Sequence, residues 1–147
     1  MLSGFKCEKL KLRLSTGVLA LIAIACSAHA QDESKADVLN ELSYDYAECT
    51  VFYKLSQQCF KNQAPPSQQA IWEKAAERAR EASTMFGRAG GLSLEALKAR
   101  YLMAVNSMAE HTSKNCINVS VQLVKYADKC KLLIEDPMAR LKQILAE

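Results

Sequence analysis

The chain has 147 residues, half of them hydrophobic, and its 19 basic and 16 acidic residues give a formal net charge of +3. The excess lies in the first thirty residues, which hold four bases and one acid, so residues 31–147 are neutral overall. A chain of this size is expected to form a single domain that buries its own core. Residues 31–147 have no excess of basic residues to attract nucleic acid, and nucleic-acid partners are therefore not expected.

The N-terminus predicts a signal peptide that occupies residues 1–30 and is removed during export. Basic residues are concentrated in Met1–Arg13, an apolar run covers Leu14–Cys26, and a small-x-small pattern ends at Ala30. We expect cleavage between Ala30 and Gln31, which releases the mature domain into the periplasm or the extracellular medium. The apolar run is shorter than the roughly 20 residues of a membrane span, and we expect no transmembrane span in the mature chain.

Cys26 offers an alternative processing site. The segment Ala23–Cys26 loosely resembles a bacterial lipobox, in which the cysteine is acylated and becomes the new N-terminus. Ala23 stands where such a motif usually has a large aliphatic residue. Acylation would make the protein an envelope-tethered lipoprotein.

Apolar residues in the mature chain recur at steps of three and four, which predicts helices. The first helix is expected from about Asp32 to Lys61. Its apolar stripe comprises Leu39, Leu42, Tyr46, Cys49, Tyr53, Ser56 and Phe60. We interpret the acidic residues between positions 31 and 48 as complementing the helix dipole. Tyr44 lies off the stripe, where a tyrosine suits a recognition surface.

Two prolines, Pro65 and Pro66, interrupt this pattern. The second helix is expected to run from an N-cap at Ser67 to Gly87. Between its large stripe residues Trp72 and Phe86 the stripe consists of alanines, which let a neighbouring backbone approach closely.

Three further helices are predicted towards the C-terminus. Ser93 can cap the third helix, and polar residues around 112–115 indicate a turn, with Asn115 as cap of the fourth. Valines in the fourth helix lower its helix propensity and make a strand the local alternative. Asp136 and Pro137 then open a short amphipathic helix.

The four cysteines of the mature chain restrict the topology. Cys49 and Cys59 are ten residues apart, about 15 Å along a helix, and Cys116 and Cys130 are about 21 Å apart by the same rise. A disulfide needs Cα atoms within roughly 7 Å, so both bonds must join the first helix to the fourth. An antiparallel arrangement favours Cys59–Cys116 and Cys49–Cys130, and a parallel one would pair Cys49 with Cys116 and Cys59 with Cys130. We expect an all-α fold: an up-down-up-down four-helix bundle with a short C-terminal helix, braced by two disulfides.

No assembled catalytic set is visible in the sequence. The chain has no Cys-x-x-Cys motif and no glycine-rich nucleophile turn, and His111 is the only histidine left after processing. We therefore predict a small exported binding protein that is not an enzyme, holds no metal or cofactor, and contacts a protein or cell-envelope component through a helical face. The oligomeric state is left open. The alternative is a carrier of haem or another small apolar ligand in the bundle core, with His111 and Met108 as candidate ligands.

Overall fold

The computed structural model describes residues 16–112 and 116–144, with side chains described from Lys35 onward except that of His111. These residues form five helices and no strand: α1 (Thr16–Cys59), α2 (Pro66–Ala89), α3 (Leu94–Thr112), α4 (Val119–Glu135) and α5 (Pro137–Ile144). The all-α prediction is confirmed, and the valine-rich segment is helical. The chain divides into two units, residues 1–33 and 34–147, and the features below belong to the second.

Disulfides set the direction of α4 against α1. Cys49 is bonded to Cys130 and Cys59 to Cys116, with Cα–Cα distances of 5.3 and 5.6 Å. Cys59 follows Cys49 along α1, but its partner Cys116 precedes Cys130. The two helices therefore run in opposite directions. This is the pairing that the antiparallel arrangement favoured.

Side-chain contacts set α2 antiparallel to α1 as well. Ser43 and Ser83 each donate a hydrogen bond to the other's backbone carbonyl, at 2.8 Å in both directions. Near the other end of α2, the rings of Phe60 and Trp72 lie 5.9 Å apart. α3 packs against α2 and α4, and α5 packs against α4. The result is the expected four-helix bundle with a short C-terminal helix.

The bounds and burial of α1 differ from the sequence prediction. α1 begins at Thr16 rather than near Asp32, because no glycine or proline interrupts residues 18–59. Between positions 42 and 53, moreover, α1 is buried on almost every side instead of along one stripe. The residues buried there are Leu42, Ser43, Asp45, Tyr46, Ala47, Cys49, Thr50, Val51, Phe52 and Tyr53. α1 is thus the central helix of the unit.

Both predicted ends of α2 are corrected. α2 begins at Pro66, with Pro65 preceding it, so Ser67 is not the N-cap. Proline suits the first helical position because its φ is already helical and its missing N–H has no intrahelical partner there. The helix continues past Gly87 to Ala89, and the Gly90 N–H closes its last turn on the Phe86 carbonyl.

The caps of the later helices agree with the sequence in two cases of three. Ser93 Oγ accepts the N–H of Ala96 at 3.2 Å, and Asp136 Oδ1 accepts the N–H of Ala139 at 3.1 Å. α4 begins at Val119 after Asn118, whose side chain makes no capping bond. The N-cap position of α4 is thus Asn118 rather than the predicted Asn115, which itself lies outside the described residues.

Candidate functional site

A cluster of charges joins α1 to the C-terminal helices. Lys129 Nζ lies 2.5 Å from an oxygen of Asp45 and 2.8 Å from an oxygen of Glu48. Arg140 pairs with the other oxygen of Asp45 at 2.8 Å and with Glu41 at 3.3 Å. The three acids recur once per turn along α1, so one face of this helix meets both bases.

This cluster is structural, and its acids are not a helix-dipole feature. Asp45 is only 4% exposed and lies in the middle of α1, far from the first turn where a dipole acts. The interpretation drawn from the sequence is therefore wrong for these acids, which pair with bases on other helices. Burial opposes the charge on Lys129, but hydrogen bonds and attraction from Asp45 and Glu48 outweigh it and raise the pKa of Lys129. Tyr44 lies half-buried beside the cluster, and burial together with Glu48 raises its pKa.

The Tyr46 side chain supplies a hydrogen bond that the backbone at the α4–α5 junction cannot make. Its hydroxyl donates to the carbonyl of Leu133 at 2.9 Å, inside the core. In an uninterrupted helix that carbonyl would accept the N–H of residue 137, but Pro137 has none. Tyr46 thereby satisfies the buried carbonyl that the α4–α5 junction leaves open.

A groove of about 430 Å³ lies between α1, α2 and α3. Its apolar lining includes Ala47 from α1 and Leu94, Leu97 and Tyr101 from α3. Its charged lining consists of three cations, Lys54, Arg80 and Lys98, without a carboxylate. The volume lies within the range of about 300–1,000 Å³ typical of small-molecule sites.

A second groove, of about 330 Å³, lies between α1, α2 and α4. Phe52, Tyr53 and Trp72 give it an aromatic lining, and its two charged residues, Lys131 and Glu135, have opposite sign. Burial, followed by Glu135, raises the pKa of Tyr53, so its hydroxyl stays neutral at physiological pH. This groove therefore has no net charge preference.

The outer face of α4 and the turn before it carry apolar side chains in solvent. Ile117, Val121 and Val124 are 73%, 52% and 88% exposed and follow one another at steps of four and three. Val121 and Val124 share one side of α4 and Ile117 lies in the turn before it, whereas Tyr126, Cys130 and Leu133 turn into the core. α4 thus presents an apolar outer face in addition to its buried one.

The predicted ligand pair of the carrier alternative, His111 and Met108, stays a prediction, because only the Met108 side chain is among those described. Met108 is 1% exposed and belongs to the core, and it lines neither of the two grooves. The side chain of His111 lies outside the described residues, as do those of Cys26, Ala30 and Gln31. Within the described part of the chain no group of three His, Cys, Asp or Glu side chains could hold a metal ion. No helix in that part is long and apolar enough to cross a membrane.

Sequence reasoning missed both grooves and the charge cluster, because each is assembled from three helices far apart in the chain.

The two disulfides are compatible with an extracellular or periplasmic protein. Comparison of the chain with protein-family models, with curated proteins and with solved structures finds no match.

Proposed function

We propose that this chain is a small exported, non-catalytic binding protein that contacts a protein or a cell-envelope component through the outer face of α4. The observation that carries the proposal is the exposed apolar row formed by Ile117, Val121 and Val124. The predicted signal peptide and the two disulfides support export.

The chemistry of this row suits a contact surface. Burying a large aliphatic side chain contributes about 1.5–3 kcal/mol, so Ile117, Val121 and Val124 together offer several kcal/mol to an association. β-branched side chains have few rotamers, so little side-chain entropy is lost when they are immobilised at an interface. The Cys59–Cys116 disulfide ties the start of this segment to α1 and holds the row on a fixed support.

The test compares two double variants of the exported, oxidised protein. Val121→Glu/Val124→Glu places two charges in the apolar row, and Ala99→Glu/Ala109→Glu places the same charges at exposed positions of α3. Each protein is immobilised and used to capture components of its native envelope. We expect the first variant to lose the captured component and the control to retain it.

Two outcomes contradict the proposal. One is equal capture by both variants, which would show that the α4 face is not the contact surface. The other is turnover of a hydrolase or redox substrate by the purified protein that a single point substitution abolishes, because a non-catalytic role excludes it.

A further inference from the structure

Three hydroxyls in the walls of the groove between α1, α2 and α3 are not free to donate a hydrogen bond to a ligand. Thr50 donates its hydroxyl hydrogen bond to the Tyr46 carbonyl at 2.9 Å, and Thr84 donates to the Arg80 carbonyl at 3.0 Å. Ser83 is committed to its reciprocal bond with Ser43. The hydrogen atoms of all three hydroxyls are thus already used, and the threonines add methyl groups to an otherwise apolar lining.

The apolar lining continues into solvent at one end of the groove. Leu94 is 63% exposed although it lines the groove beside Leu97. An exposed leucine at the edge of an apolar recess is a surface that an apolar ligand would cover.

The rim of the groove is positively charged. Arg80 is paired with Glu77 at 2.5 Å on the outer face of α2. Among the described residues, neither Lys54 nor Lys98 has a carboxylate within salt-bridge distance, although Lys54 is near enough to Glu77 to help lower the pKa of that carboxyl. The two lysines approach the groove from α1 and α3. An apolar recess with two unpaired cations at its edge is complementary to an anionic group that carries an apolar tail.

We propose that this groove binds a single-chain anionic amphiphile, with its tail along Ala47, Leu94 and Leu97 and its head group between Lys54 and Lys98. The second groove, between α1, α2 and α4 (the aromatic groove), has one charge of each sign and does not share this preference for anions. The site is separate from the α4 face, so either proposal can fail without the other.

The test titrates dodecanoate, below its micelle concentration, into the ¹⁵N-labelled oxidised protein. We expect saturable shifts of the amide signals of residues 94–101 and 80–84, which border the groove. Dodecanol and dodecyltrimethylammonium carry the same tail without the negative charge. We expect dodecanol to bind about tenfold more weakly than dodecanoate, as the loss of two partly exposed charge contacts predicts. Dodecyltrimethylammonium should bind more weakly still, because the two lysines repel its cationic head group.

Three variants locate the site. Lys54→Met/Lys98→Met should weaken dodecanoate binding about tenfold. Lys35→Met/Lys142→Met makes the same change in net charge at exposed lysines outside the groove, and we expect it to bind like the parent. Leu94→Asp alters an exposed position at the start of α3, where an acid suits the helix dipole, and it should abolish binding without loss of the fold.

The result that would overturn the proposal is equal affinity for dodecanoate and dodecanol, or dodecanoate binding that is unchanged in Lys54→Met/Lys98→Met. Shifts confined to residues of the aromatic groove would do the same. Vesicles of anionic phospholipid form a separate arm of the test. Binding to such vesicles without binding to free dodecanoate would assign the cations to a membrane surface and contradict a single-chain ligand.

Discussion

Several polar side chains of α1 are paired across helices, and this pairing helps to explain how α1 can be buried on nearly every side. Ser43 exchanges hydrogen bonds with α2, and Asp45 meets Lys129 of α4 and Arg140 of α5. Tyr46 donates a hydrogen bond to the Leu133 carbonyl of α4. A buried polar group without such a partner would cost about 1–3 kcal/mol, so each pair also fixes the position of a neighbouring helix.

The substitution Tyr46→Phe tests how much the hydrogen bond from the Tyr46 hydroxyl contributes to stability. The substitution leaves the Leu133 carbonyl buried without a donor, because Pro137 cannot supply one. We expect a loss of about 1–2 kcal/mol in the free energy of unfolding, measured by denaturant titration. Tyr101→Phe is the control, since the Tyr101 hydroxyl makes no hydrogen bond with any described residue. Equal effects of the two substitutions would refute this role for Tyr46.

Alkaline pH should destabilise the protein. The pKa of Lys129 is raised by its two carboxylates, which outweigh its burial, and the pKa of Tyr46 is raised by burial and then by Asp45. Both groups lose their protons near pH 10 in an unfolded chain, whereas the folded protein holds them to higher pH. The unfolded state therefore binds fewer protons above about pH 10, and the free energy of unfolding falls as pH rises through the raised pKa values.

Unfolding measured between about pH 8 and pH 11.5 checks this expectation. Lys129→Met should be less stable at pH 8 and should lose less stability over the alkaline range than the parent. A free energy of unfolding that stays constant or increases above about pH 10 contradicts the assignment.

At the scale of the helices, local signals predicted much of the architecture. The three-and-four periodicity identified five helices, and the rise per residue ruled out local disulfides because Cys49 and Cys59 are too far apart on one helix. The central position of α1 was not predicted, since the partners of Ser43 and Asp45 lie on other helices and cannot be identified from the sequence. The N-terminal extension of α1 to Thr16 was missed because the segment was assigned to a signal peptide.

The close approach of α2 to its neighbours is tested by Gly87→Ala. Gly87 is buried, and a Cβ there would overlap Leu97 Cδ2 and lie 2.6 Å from Ser43 Oγ, which is held by its bond to Ser83. Helix propensity alone predicts a gain of about 1 kcal/mol for this substitution. We expect instead a loss of about 1–2 kcal/mol from overpacking. Arg88→Ala, at the exposed neighbouring position, should change stability by less than about 0.5 kcal/mol, and a stabilised Gly87→Ala would contradict the close packing.

At the scale of the molecule, the disulfide-linked bundle presents two surfaces, the outer face of α4 and the groove between α1, α2 and α3. The exposed valines of α4 were visible in the sequence, but they were interpreted only as lowering the helix propensity of this segment. The groove could not be predicted, because Lys54, Arg80 and Lys98 belong to three helices and share a rim only after folding.

The two disulfides should differ in their contribution to stability. The loops that they close span 81 and 57 residues, and the chain-entropy account gives about 4 kcal/mol for either bond. Cys49 and Cys130 are fully buried, whereas Cys59 and Cys116 are half-buried. Cys49→Ser/Cys130→Ser therefore also buries two hydroxyls and should lose at least about 1 kcal/mol more than Cys59→Ser/Cys116→Ser in thermal or denaturant unfolding. An equal or smaller loss would contradict the difference in burial.

Non-reducing peptide mapping by mass spectrometry, on protein recovered from its natural location, tests the account of an exported, oxidised bundle most directly. We expect peptides that link Cys49 to Cys130 and Cys59 to Cys116, together with an N-terminal peptide that begins at Gln31. Free thiols at these four positions, a Cys49–Cys59 bond, or an intact N-terminus at Met1 would contradict the account.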